Sequence, residues 1–173
     1  MKKDSQHVSI SLSKQLTVFL AALSFVVPFL LSQSQIPTGI FVNALLFLSV
    51  LFLPASTRLP IIIFPSLATV TRGLVFGGLT PFLLAMVPVI WLGNWLLTMV
   101  FDKLHGRLGL MVSGVIASLT KVTVLFLTAI IFVRLGIVPK LFLTVMGNVQ
   151  LITALAGFVV ALGVYHIVSS RRV

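Results

Sequence analysis

Lys121 stands in the middle of an apolar run, 108–133, and Arg72 interrupts another, 61–79. A charge at the centre of a bilayer costs about 2.5–3.5 kcal/mol on insertion scales, so such residues usually face a bundle interior, pair with one another or serve a ligand. No carboxylate within these runs can pair with them, because the chain holds only Asp4 and Asp102 and no Glu. A cation facing inward must then be satisfied by backbone carbonyls, water or an anionic ligand. Arg72 has a second option: seven residues before Leu79, it can snorkel to the interface. Most other chemistry is excluded. With no Cys there is no disulfide, thiol nucleophile or cysteine-ligated metal. His7, His105 and His166 are scattered without a ligand spacing, and two carboxylates so far apart in sequence build neither a paired-carboxylate hydrolase nor a di-metal site. No GxxxxGK[ST] loop is present to bind ATP. Neither an enzyme nor a resident cofactor is expected.

Other polar residues gather around these cations. Gly114, Ser118 and Lys121 fall at i, i+4 and i+7, and Gln150, Thr153, Gly157 and Ala161 form a similar stripe. Close helix packing accounts for the small residues. It accounts less well for Gln150 and Lys121, which are longer and more polar than packing requires. In "VIWLGNWLL", Trp91, Asn94 and Trp95 stand at i, i+3 and i+4. Rings beside an amide suit a flat, partly polar ligand, with plain packing or an interfacial tryptophan belt as the alternative. Gln35, Thr38 and Asn43 lead into the second apolar run, and Arg72, Asn148 and Gln150 fall at a similar depth. The candidate binding residues are therefore Asn43, Arg72, Trp91, Asn94, Lys121, Asn148 and Gln150. The run containing Arg72 also holds Pro65, Gly73, Gly77 and Gly78. It reads either as a kinked packing helix or as irregular backbone lining a pocket.

The elements that must position these residues follow from composition. Of 173 residues, 59% are hydrophobic and 8% charged, with a mean hydropathy of +1.24. Soluble domains carry about 25% charged residues, so both a soluble enzyme and a disordered chain are excluded. The expected fold is all-α: one integral membrane domain, 1–173, formed by a bundle of six transmembrane helices at about 16–31, 39–53, 61–79, 81–101, 108–133 and 149–168. The first run is too long for a signal peptide and lacks a small-x-small cleavage pattern after it.

The net charge of +10 tests this count. With both ends inside, the cytoplasmic segments hold Lys2, Lys3, Lys14, Arg58, Lys103, Arg107, Arg171 and Arg172, eight of the twelve basic residues. The outer loops hold Arg134 and Lys140. That bias obeys the positive-inside rule, so the basic excess reports orientation and implies no nucleic-acid partner.

The turn "QIPTGIFVNALLF", the fourth run "PFLLAMVPVIWLGN" and the last segment "MGNVQLITALAGFVVAL" resemble the substrate-binding S component of energy-coupling-factor (ECF) vitamin transporters. The resemblance covers most of the chain and is one of pattern. It implies a protein of a bacterial or archaeal cell membrane with cytoplasmic termini and an outward-open pocket for a vitamin-like or anionic solute. It also implies a transmembrane coupling subunit and two cytoplasmic ATPases as partners. By similarity, the ligand-binding role falls to Asn94, Lys121, Asn148 and Gln150, with Asn43 and Arg72 beside them. One departure is that the first run, "VFLAALSFV", has no Ala four residues after Ala21 or Ala22, where the family commonly carries AxxxA for docking. The competing reading is a membrane scaffold or assembly subunit similar to small rod-shape proteins, whose polar stripes would contact partner helices.

Overall fold

A computed structural model describes residues 2–31, 34–76 and 80–171. The described chain is helical almost throughout. Its long helices are α1 (Lys2–Leu31), α2 (Gln35–Phe52), α3 (Leu59–Phe76), α4 (Thr80–Arg134) and α6 (Gln150–Ser170). A short α5 (Leu141–Thr144) and a π turn (Val145–Val149) run directly into α6. Helix is the form in which apolar sequence satisfies its backbone without water. The hydroxyls on these helices mostly bond back to their own helix: Ser118 donates to Gly114 O (2.9 Å), Ser49 to Leu46 O (2.7 Å) and Thr128 to Val124 O (2.9 Å).

Among the described residues four stretches are long and apolar enough to cross a membrane: Ser13–Leu31, Gln35–Phe52, Pro81–Arg134 and Leu141–Ser170. This differs from the six runs expected from sequence. The segment "DKLHGR", expected as a loop, is helical and joins the fourth run to the fifth within α4. Residues 141–148, ahead of the expected last run, are helical as well, so that stretch begins at Leu141, and 135–140 form the turn before it. The end of the expected third run, 77–79, lies outside the described residues, Gly77 and Gly78 with it, as does Arg172.

α4 is 55 residues long, with a break at Gly109 (φ 76°, ψ 165°), a backbone conformation open to glycine and costly for other residues. An unbroken helix of that length would extend about 80 Å, more than twice a hydrocarbon core of about 30 Å. Instead the chain doubles back. A Cβ on Gly93 would sit 3.3 Å from Leu125 and 3.4 Å from Lys121, so limb 80–108 lies against limb 110–134.

Glycine also sets the closest approach in the bundle. A Cβ on Gly157 of α6 would fall 2.6 Å from Ile40 O and 2.7 Å from Asn43 Cβ of α2, so these two helices meet almost backbone to backbone. Gly114 leaves room for the ring of Phe158. That ring joins Phe47 and Phe101 in an aromatic cluster, with centroids 4.9 Å apart for Phe47–Phe101 and Phe47–Phe158. Around it lie Leu46, Ile61, Leu97 and Ala117. A second apolar cluster gathers Met86, Leu125, Ala129, Phe142 and Met146. The two clusters bracket a polar layer. Along one limb of α4, Lys121 sits between Ala117 and Leu125; along the other, Asn94 sits between Ile90 and Leu97.

Candidate functional site

In this layer α2, α3, both limbs of α4, α5, the π turn and the start of α6 enclose a cavity of about 370 Å³. That volume lies at the small end of ligand pockets, about 300–1,000 Å³. Much of its wall is apolar, including Val42, Leu83, Ile90, Phe142 and Met146, and its polar side chains arrive from α2, α3, α4 and α6.

Lys121 is the central charge and only 2% exposed. Its Nζ donates to Asn43 Oδ1 at 2.7 Å. Asn43 is held in turn: its Nδ2 donates to Gly39 O (2.8 Å) and lies 3.4 Å from Thr153 Oγ1. The polar partner of the lysine is thus a side-chain amide. An ammonium has three N–H donors, and this is the single hydrogen bond Lys121 makes among the described residues. Among the described residues no carboxylate lines the cavity.

Asn94, 1% exposed, donates through Nδ2 to Ile62 O of α3 (3.0 Å), three residues before Pro65. That bond fixes the amide orientation and leaves Oδ1 buried with no hydrogen-bond partner among the described residues. Gln150 Oε1 is in the same condition. Arg72 lines the cavity and reaches across to α1, where its Nη1 donates to Phe29 O and to Leu30 O (2.6 Å), and its guanidinium lies 5.9 Å from the Phe29 ring centroid. These are carbonyls at the C-terminal end of α1, where helix termini favour cations. Thus Arg72 ties α3 to α1.

Five of the seven candidates are brought to one cavity: Asn43, Arg72, Asn94, Lys121 and Gln150. Two are not. Asn148, in the π turn, is exposed. Residues two apart on a helix point about 200° away from each other, so Asn148 and Gln150 do not share a face. Trp91 lies outside the cavity and with Trp95, Leu92, Leu59 and Ile62 lines an apolar groove on the bundle surface. One side of the Trp-Asn-Trp set therefore divides: the amide turns inward and the rings outward. Trp91 still touches the wall from behind, since its Nε1 donates to Ser66 Oγ (2.6 Å). Ser66 and Thr69, one and four residues after Pro65, line the cavity and were not singled out from sequence. Their signal was the proline before them. Gln35 and Thr38, at the start of α2, complete the polar rim.

A polar feature outside the cavity also escaped the sequence reading. Arg58, just beyond α2, forms an ion pair with Asp102 of α4 (Nη1–Oδ2, 2.9 Å) and donates to Leu53 O through Nε (3.0 Å) and Nη2 (2.7 Å). Among the described residues no group of three His, Asp or Glu side chains converges as a metal site. Compared with family models, curated proteins and solved structures, the chain has no significant match in any of the three.

Proposed function

We propose that this chain is a membrane solute-binding subunit that presents a small, vitamin-like or anionic solute for uptake. One observation carries the reading: among the described residues, a buried lysine with a single hydrogen bond faces a cavity of ligand size that no carboxylate lines. A helix-packing role needs no such space, and an unneutralised cation in an apolar interior is costly unless an anion joins it. In this reading both limbs of α4 cross the bilayer separately and α3 crosses as well, giving six passages with both termini cytoplasmic. The cavity then opens outward along the first half of α2. The chain has no nucleotide-binding loop, so uptake draws on a separate transmembrane coupling subunit and two cytoplasmic ATPases, as in the ECF systems it resembles.

The test is mass spectrometry of small molecules retained through purification in mild detergent, paired with co-expression of a coupling module from the same organism. A retained solute released by Lys121→Ala, and co-purification of the module, are the expected results. A protein that retains no solute and instead co-purifies with cell-wall assembly proteins is a scaffold.

A further inference from the structure

The cavity's hydrogen-bonding inventory is uneven. Thr38 and Thr69 donate to Leu31 O (2.7 Å) and Pro65 O (2.8 Å), and Ser66 both donates to Ile63 O (2.9 Å) and accepts from Trp91. Asn43 Oδ1 accepts from Lys121. These groups are occupied by the chain itself. Besides the exposed rim amide of Gln35, the buried groups open to a ligand are the ammonium of Lys121, with two N–H bonds unmade, and two acceptor oxygens, Asn94 Oδ1 and Gln150 Oε1, each without a partner among the described residues. Buried polar oxygens in native structures are nearly always satisfied, so two in one cavity call for a donor supplied from outside the chain.

Resting on the solute-binding reading above, we infer that the ligand is an anion that also carries N–H donors: a carboxylate or phosphate joined to a ureido, amide or ring N–H group. The anionic end meets Lys121, which already leans on Asn43 and is positioned by it. The N–H end meets Asn94, whose own Nδ2 is anchored to α3, and Gln150 at the start of α6. The Lys121–Asn94–Gln150 set thereby joins both limbs of α4 to α6 through one small molecule. Arg72 stands apart from this recognition, since its guanidinium bridges to the α1 carbonyls. A ligand that displaces water without offering N–H or O–H donors leaves both oxygens desolvated, which discriminates against it by roughly tenfold or more per oxygen.

The experiment is calorimetric titration of the purified full chain with 3-ureidopropionate, 5-ureidopentanoate and hydantoin-5-acetate, each beside its methyl ester and its fully N-methylated form. The expected pattern is selective loss: about tenfold or more on esterification and again on N-methylation. Lys121→Met removes the preference for acid over ester and leaves the preference for N–H over N-methyl. Asn94→Leu does the reverse, with Gln150→Met as a second variant should Asn94→Leu fail to fold. Esters or N-methylated forms that bind as tightly as their parents overturn the inference. If no compound of the panel binds, the molecule retained through purification decides. An anion with N–H donors supports the inference; a cation, or an anion without N–H, overturns it while leaving solute binding in place. No binding and no retained molecule overturns both.

Discussion

Arg58 and Lys121 are both buried cations of one bundle, yet the chain treats them in opposite ways. Around Arg58 it supplies everything: a carboxylate at 2.9 Å and the carbonyl of Leu53, which terminates α2, approached by two nitrogens. Around Lys121 it supplies one amide oxygen and then a cavity. The chain has few acidic residues, and one of its two, Asp102, is committed to the first site. A cation neutralised within the chain holds helices together. A cation left incompletely satisfied beside open volume costs stability, and the proposed solute-binding role accounts for that cost.

The largest expected effect breaks the Arg58 side of this contrast. Arg58→Met removes the ion pair, leaves the C-terminal carbonyls of α2 without their donor and isolates Asp102. Folding stability falls by about 2–4 kcal/mol, measured by unfolding in detergent, while solute retention per folded molecule is unchanged. An equal loss of stability and of binding capacity in the folded fraction would mean that the two regions are coupled.

Lys121→Met tests the other side and should give the mirror result. The buried charge disappears and Asn43 loses one partner, so stability changes by no more than about 1 kcal/mol in either direction. Retained solute, in contrast, is lost. A drop above about 2 kcal/mol with solute retained would place Lys121 beside Arg58 as a structural cation and erase the contrast.

The sequence exposed one half of this comparison better than the other. Lys121 announced itself because a charge inside an apolar run is visible from neighbours alone, and the Gln150–Thr153–Gly157–Ala161 stripe is legible from helical periodicity. Gly157 does lie where α2 and α6 come closest. Arg58 looked like a loop charge that merely orients the chain. Its partner is 44 residues away, on a segment whose polar composition "DKLHGR" reads as a loop and which is helical. The pairing of Asn43 with Lys121, 78 residues apart, is equally invisible to local pattern. Asn148 fails for a different reason: depth along the chain can be counted, but the face a residue takes depends on rotation, and a π turn resets that rotation just before α6. The helical hairpin within α4 turns on Gly109, one of two nearby glycines in "GRLGL", with only the backbone geometry to choose between them.

The smallest predicted effect sharpens the comparison at the level of a methyl group. Gly93 is the point where limb 80–108 of α4 faces the stem of Lys121 on the other limb, with an added Cβ 3.4 Å from Lys121 Cγ and 3.3 Å from Leu125 Cγ. In a helix interior alanine is favoured over glycine by up to about 1 kcal/mol, and here a tight contact opposes that gain. Gly93→Ala therefore leaves stability within about 1 kcal/mol of the original. Yet the methyl pushes on the lysine stem near its root, and the Nζ at the far end moves relative to Asn43 and the cavity. Solute affinity falls a few-fold without loss of fold, read by titration with whichever solute the protein retains. The same small change made far from the cavity, at Gly163, where an added Cβ meets nothing within 4 Å, leaves affinity as it was. If the two alanine variants bind alike, the position of Lys121 tolerates displacement, and the lysine acts as a diffuse charge instead of an aimed donor.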